Sequence, residues 1–226
     1  GDKLVKLVLA IVTATGTVML PHIANKFAAG DTRGVRQSLY KSFDFVTALS
    51  IPMMFGLMAI SDKFAPWFLG NQYGPTGEVI FYEAPVILMI AWSNVTGTQY
   101  LMPIHREHDF TISVTIGAVV NIIANIVLIS KYGANGAAVA TVISEFSVTA
   151  VQLWYIRGTI SRRKMFAPIW RYLVSGFFMY LVVSRIDKIM NMSIINLAIQ
   201  VLIGVVVYAV LVIVLHAPIV VQAKKM

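Results

Sequence analysis

The chain has no cysteine among its 226 residues, which excludes both a disulfide framework and a thiolate metal centre. Charge is scarce as well. Asp, Glu, Lys and Arg make up 12% of the sequence, against about 25% in a soluble globular domain. Acidic residues are the rarer sign, 10 against 18 basic. No connection between apolar runs is longer than Asp62–Glu78, which leaves no room for a soluble catalytic domain. A Gly-rich phosphate loop, a nucleophile elbow and paired carboxylates at useful spacing are all missing, and an enzyme is not expected. Strand alternation is missing too, which argues against a membrane β-barrel. The chain opens at Gly1 with no signal-peptide pattern before its first apolar run, and we read it as the C-terminal part of a longer protein.

What is abundant is apolar surface: 58% hydrophobic residues and a mean hydropathy of +0.78. Seven runs are long enough to span a bilayer, roughly Leu4–Phe27, Phe43–Ile60, Val79–Leu101, Phe110–Ile129, Gly136–Tyr155, Trp170–Ser184 and Ile194–Leu215. The expected fold class is therefore all-α, a polytopic membrane protein with about seven transmembrane helices. Pro21 and Pro52 fall inside such runs and are tolerable where neighbouring helices satisfy the freed carbonyls.

Alternating the connections between two sides sorts the bases unequally. One side takes Lys26, Arg33, Arg36, Lys41, Arg106, Arg157, Arg162, Arg163, Lys164, Arg171, Lys224 and Lys225; the other takes only Lys3, Lys6, Lys63, Lys131, Arg185 and Lys188. The positive-inside rule makes the richer side, and with it the C-terminus, cytoplasmic. Topology already accounts for the basic excess, so nucleic acid is not an expected partner. Ala28–Ser42 reads as an amphipathic interfacial helix N-capped by Asp31 or Thr32. Val35, Leu39 and Phe43 share one of its faces, opposite Arg33, Arg36, Gln37 and Lys41.

Polar residues inside the spans mark the candidate transport path, because an unpaired polar group there costs several kcal/mol. Trp92–Asp109 brings Ser93, Asn94, Thr96, Thr98 and Gln99 into an apolar helix, stops at Pro103, and opens into a loop holding Arg106. The fourth run carries Ser113, Gly117, Asn121 and Asn125 at i+4 spacing, and the fifth carries Ala137, Thr141, Glu145 and Thr149, continued by Gln152. The two runs are antiparallel across the turn Lys131–Gly136. Glu145 either hydrogen-bonds Asn121 or Asn125 and locks the helices together, or couples transport to a proton or sodium gradient. His22, Asn25 and Lys26, with Arg33 and Arg36 beyond, could hold a pyrophosphate through charge-assisted hydrogen bonds, or simply obey the positive-inside rule. The run His105–Asp109 is a solvated loop rather than a metal site, since consecutive loop residues do not converge on one ion.

Several motifs resemble the oligosaccharide flippases of the multidrug/oligosaccharidyl-lipid/polysaccharide exporter superfamily. They are Val18-Met-Leu-Pro-His-Ile-Ala24 with Ala29-Gly-Asp31, Ile51-Pro-Met53 with Gly56, Phe68-Leu-Gly70, and Ser93-Asn-Val-Thr-Gly-Thr-Gln99 with Pro103 and Arg106-Glu107. Asn121 with Asn125, and Tyr132-Gly-Ala-Asn-Gly-Ala-Ala138 leading to Ser144-Glu145, complete the series. The likeness implies the second lobe of a fourteen-helix transporter, with residues 1–157 as lobe helices and 158–226 as two extra C-terminal helices. It further implies translocation of undecaprenyl-pyrophosphate-linked oligosaccharide across the bacterial cytoplasmic membrane, for capsule, O-antigen or exopolysaccharide assembly. Partners would be the lipid-linked substrate, membrane lipids, the missing N-terminal lobe, and polysaccharide polymerase and assembly proteins. No cofactor is expected beyond a coupling H+ or Na+ gradient. The alternatives are a cation-coupled multidrug exporter of the same superfamily, a membrane polysaccharide polymerase, for which these loops are too short, and a non-transporting membrane subunit.

Overall fold

The computed structural model describes Val5, Ala10 and residues 19–223. Every regular element among them is helical. In chain order these are α1 (residues 19–28), α2 (Thr32–Leu69), a 3-10 turn (Asn71–Tyr73), α3 (Thr76–Glu83), α4 (Val86–Ser93) and a π-helical segment (Asn94–Leu101). Then come α5 (Glu107–Tyr155), α6 (Arg162–Phe166), α7 (Ile169–Ile189), α8 (Ile194–Val214) and α9 (Pro218–Ala223).

Helix α2 is the hub, packing most extensively against α7 and α3 and touching α4, the π segment, α6, α8 and α9 as well. It begins where the sequence says it should. The Asp31 side chain accepts a hydrogen bond from Gly34 N at 2.8 Å, and Val35, Leu39 and Phe43 are buried while Arg33, Arg36, Gln37 and Lys41 are exposed. The expectation of a separate interfacial helix over Ala28–Ser42 is corrected. Ala28 ends α1 and Ala29–Gly30 turn the chain, while Thr32–Ser42 are the first turns of a single 38-residue helix, because nothing between Thr32 and Pro52 interrupts the backbone ladder. Pro52 itself has no N–H to offer the carbonyl of Ala48, one turn back. The Tyr208 hydroxyl on α8 donates to that carbonyl instead, at 2.8 Å. Phe43 sits between Trp92 (5.4 Å, stacked) and Phe166 (5.5 Å, edge-on), tying α2 to α4 and α6 in the core.

Among the described residues five helices are long and apolar enough to cross a membrane: Thr32–Leu69, Thr76–Leu101, Glu107–Tyr155, Arg162–Ile189 and Ile194–Val214. Straight, the 49 residues of α5 would reach about 74 Å, more than twice a bilayer core. They do not run straight. Gly133 has φ 56° and ψ −130°, a left-handed φ that favours glycine, and the chain folds back there into two antiparallel arms. The fourth and fifth expected spans are these arms. The first expected span, Leu4–Phe27, lies largely outside the described residues.

The two ends of the bundle gather the segments that charge sorting assigns to the same side. At one end Lys26 Nζ donates to Ser38 Oγ (2.9 Å), Arg106 to Tyr155 O (3.3 Å), Ser161 N to the Tyr40 hydroxyl (2.8 Å), and Arg171 to His216 O. At the other, Lys63 Nζ caps the C-terminal carbonyls of α7 at Asp187, Lys188 (3.2 Å) and Met190 (2.9 Å), and Asn135 donates to Glu78 (2.8 Å).

Candidate functional site

The π segment covers Asn94–Leu101, the polar stretch on which the sequence concentrates its in-span hydrogen-bonding groups. Widening the turn changes which side chains meet. Five residues along an α-helix are rotated apart by about 140°, yet Gln99 Nε2 donates to Asn94 Oδ1 at 2.9 Å, matching the i→i+5 pitch. Gln99 is fully buried, and among the described residues its Oε1 has no hydrogen-bond partner. One turn earlier Thr96, also fully buried, brings its hydroxyl within 2.6 Å of Gln152 Oε1 and 2.8 Å of Trp92 O, so one proton serves two acceptors. Gln152 Nε2 in turn donates to Ser113 Oγ at 3.1 Å. The chain Thr96–Gln152–Ser113 thus joins the π segment to both arms of α5 through residues that are 0% exposed. Gly97 makes this approach possible: a Cβ there would lie 2.8 Å from Gln152 Nε2 and 2.7 Å from the Phe110 ring.

On the first arm of α5 the marked residues Ser113 and Gly117 lie on the seam; the second arm meets them through Ser144, Val148 and Gln152 rather than through the expected column Ala137, Thr141, Glu145 and Thr149. Ser144 Oγ donates across to Gly117 O at 2.8 Å, and a Cβ on Gly117 would stand 2.2 Å from Val148 Cγ2. Thr149 Oγ1 docks the second arm on α4 through Met89 O, at 3.0 Å. Asn121 and Asn125 are half-buried and pair with each other, Asn125 Nδ2 donating to Asn121 Oδ1 at 2.9 Å. Glu145 bonds neither of them. The register set by Ser113 with Gln152 and Gly117 with Ser144 and Val148 places Asn121 near Val142, and Glu145 lies on the adjacent column, half-buried and without a hydrogen-bond partner among the described residues.

The remaining sequence candidates gather at the basic end. His22 is exposed; Lys26 is half-buried on Ser38. Arg106 is committed to structure, since its Nε donates to Asp109 at 2.6 Å and its other nitrogens to Tyr155 O, pinning the loop to the end of α5. Arg33 and Arg36 line a cavity of about 450 Å³ with Gln37, Tyr40, Thr159, Ser161 and Lys164. Among the described residues no carboxylate is in that lining.

Three buried acids escaped the sequence reading. Asp44 (7% exposed) accepts from the Tyr172 hydroxyl at 2.8 Å, that hydroxyl accepting in turn from Ile219 N at 3.2 Å. Glu83 (5%) is buried in the Thr76–Leu101 span, and Asp187 accepts from Gln200 Nε2 at 3.3 Å. For Asp44 and Glu83 an acid inside an apolar run was itself the available signal; Asp187 lies beyond the Trp170–Ser184 run and gave none.

Comparison with known proteins agrees with this architecture. The family model described as lipid II flippase MurJ matches residues 1–184. The lipid II flippase MurJ of Bacillus subtilis (strain 168) is 25% identical over 143 residues, covering 62% of this chain and 26% of that protein. The probable low-salt glycan biosynthesis flippase Agl15 of Haloferax volcanii is 23% identical over 196 residues, covering 86% of this chain and 41% of its own length. A solved structure of lipid II flippase MurJ in an inward closed conformation superposes with a TM-score of 0.81 at 19% identity, over 97% of this chain and 46% of that one. The chain therefore spans less than half the length of these relatives, and the last likeness is one of fold alone. With a family model matching most of its length and a multi-pass helical fold to go with it, the chain belongs to the MurJ family within the multidrug/oligosaccharidyl-lipid/polysaccharide exporter superfamily.

Proposed function

We propose that this chain forms the second lobe, residues 1–157, and two extra helices, residues 158–226, of a flippase in the cytoplasmic membrane, with its C-terminus on the cytoplasmic side. The cargo is an undecaprenyl-pyrophosphate-linked oligosaccharide for capsule, O-antigen or exopolysaccharide assembly, moved by alternating access between this lobe and an N-terminal one. The family match over residues 1–184 carries the reading. The names of the two curated relatives, one a lipid II flippase and one a glycan biosynthesis flippase, support a sugar-bearing lipid as cargo. The protein acts as a transporter, without covalent catalysis, and is driven by a proton or sodium gradient.

Within this reading the polar seam of the π segment and α5 is a rigid wall of the path, and Glu145 is its coupling group. Glu145 makes no hydrogen bond among the described residues, so replacing it by Gln removes a titratable group at little structural cost. The test follows lipid-linked oligosaccharide reaching the outer leaflet of proteoliposomes that hold the full-length protein. Flipping by the parent, lost in Glu145→Gln at unchanged expression and melting temperature, is the expected result. Retention in that variant returns Glu145 to structure, and no flipping under either gradient rejects the function. Lys26→Ala, which also breaks the Ser38 contact, should lose stability as well as rate. The isolated 226 residues, with one face of the path bare, should not flip at all.

A further inference from the structure

The cavity at the basic end is built from two separate parts of the chain. Arg33 and Arg36, three residues apart at the start of α2, approach from one side, and Lys164 on α6 from the other. Three like charges around one void repel each other, and no carboxylate among the described residues answers them. The first turn of α2 carries no acid, Asp31 is spent on capping Gly34 N, and among the described residues none of the three cations is within salt-bridge distance of a carboxylate. Hydroxyls complete the wall. The Tyr40 oxygen accepts from Ser161 N, and among the described residues neither the Tyr40 proton nor the Ser161 hydroxyl is committed elsewhere. Such a pocket offers full positive charges and O–H and amide N–H donors with no carboxylate in its described lining, the chemistry that phosphate oxygens satisfy.

The depth of the pocket narrows the ligand further. Its Thr159–Lys164 wall lies between Trp154 and Trp170, 60% and 53% exposed, each with an arginine over its ring at 3.3 Å (Arg157) and 5.7 Å (Arg171). Exposed tryptophans paired with arginine mark the level of lipid headgroups, where a basic pocket between helices meets phosphate on a lipid rather than in free solution. We propose that this cavity binds the phosphate of an anionic glycerophospholipid headgroup from the surrounding bilayer. The site goes beyond the flippase reading: it clamps the first turns of α2 to the α5–α6 connection through a bound lipid and needs no transport to be observed.

The test is a native mass-spectrometric titration of the full-length protein in detergent with phosphatidylglycerol, phosphatidylcholine, a polyprenyl diphosphate and inorganic pyrophosphate. Arg33→Gln, Arg36→Gln and Lys164→Gln are combined in one variant. The charge-matched control combines Lys41→Gln, Arg162→Gln and Arg163→Gln, exposed bases of the same end that do not line the cavity. Phosphatidylglycerol should bind the parent and the control alike, and the cavity variant at least about tenfold more weakly. A third variant, Arg33→Lys with Arg36→Lys, should keep most of the affinity, which separates loss of charge from loss of fold. Equal losses in cavity variant and control, or phosphatidylcholine binding as tightly as phosphatidylglycerol, overturns the site. Cavity-dependent binding of pyrophosphate that phosphatidylglycerol does not displace assigns the pocket to a soluble anion, and preferential cavity-dependent binding of the polyprenyl diphosphate assigns it to the cargo carrier; either overturns the bilayer source.

Discussion

Two antiparallel helix pairs in this chain are held together in different ways. The arms of α5 come together at glycines: a Cβ on Gly136 would lie 2.2 Å from the main-chain O of Leu128, one on Gly117 2.2 Å from Val148 Cγ2 and 3.4 Å from Ser144 O, and a serine hydroxyl crosses to a main-chain carbonyl. The α7–α8 pair keeps side chains between its axes. A Cβ on Gly204 would be 3.3 Å from Val183 Cγ2 and 3.6 Å from Met179 Sδ, and the polar link runs side chain to side chain, Gln200 to Asp187. In lipid the hydrophobic effect does not drive helices together, so close approach and interhelical hydrogen bonds must do it. The α5 hairpin relies on both, and α7–α8 relies on filled volume. In their most apolar stretches α5 is 11% buried, the span containing α7 33% and α8 17%, so α5 presents the barest surface of the three.

The largest effect should come from forcing the seam apart. Gly136→Ala puts a methyl against Leu128 O and, at 2.5 Å, Leu128 C, and a carbonyl fixed in a helix cannot turn away as a side chain can. The expected cost is about 3 kcal/mol or more, read as loss of monodisperse full-length protein and a lowered melting temperature in detergent. Wild-type melting for Gly136→Ala would erase the contrast between the two pairs.

Next in size is Gln152→Leu, which removes the acceptor near Thr96 and the donor to Ser113 while keeping the volume apolar. Both hydroxyls retain a main-chain acceptor, Trp92 O and Phe110 O, so the loss should be about 1–2 kcal/mol rather than a full desolvation penalty. A double-mutant cycle with Ser113→Ala should show coupling; strict additivity would mean the network does not carry the contact. On the other side of the bundle, Tyr172→Phe deletes one donor to Asp44 and the acceptor of Ile219 N. It should cost about 1 kcal/mol and loosen α9, seen as faster hydrogen exchange at Ile219. Unchanged exchange there would show that α9 is held by its apolar contacts alone.

Much of this arrangement is legible in the residues. Hydrophobic length gives the spans, Lys131–Gly136 the turn between the α5 arms, and the i+4 run of Ser113 and Gly117 the face that becomes the seam. Asp31 announces the start of α2. Other features are not local properties and do not show. An i+4 stripe specifies a face but not the register of its partner, so Glu145 looked opposed to Asn121 when the packing of Gly117 on Ser144 and Val148 sets it one column aside. The π segment is stabilised by the Asn94–Gln99 and Thr96–Gln152 contacts, the second of which comes from a helix more than fifty residues away. The break expected after Ser42 failed because amphipathic and fully apolar stretches can share one uninterrupted helix.

The smallest effect should be at Gly204. Its added methyl would meet Val183 Cγ2 at 3.3 Å, a few tenths of an ångström too close, and its other neighbours are the sulfur and Cγ of Met179, a side chain that repacks easily. Against that strain stands the gain from replacing glycine in a helix interior, about 1 kcal/mol in water. The two nearly cancel, so Gly204→Ala should change stability by less than about 0.5 kcal/mol in either direction, measured by thermal unfolding beside Gly136→Ala. A loss at Gly204 as large as at Gly136 would mean that α7 and α8 also depend on the size of a single residue. The two pairs would then differ in hydrogen bonding and not in how closely their backbones are required to approach.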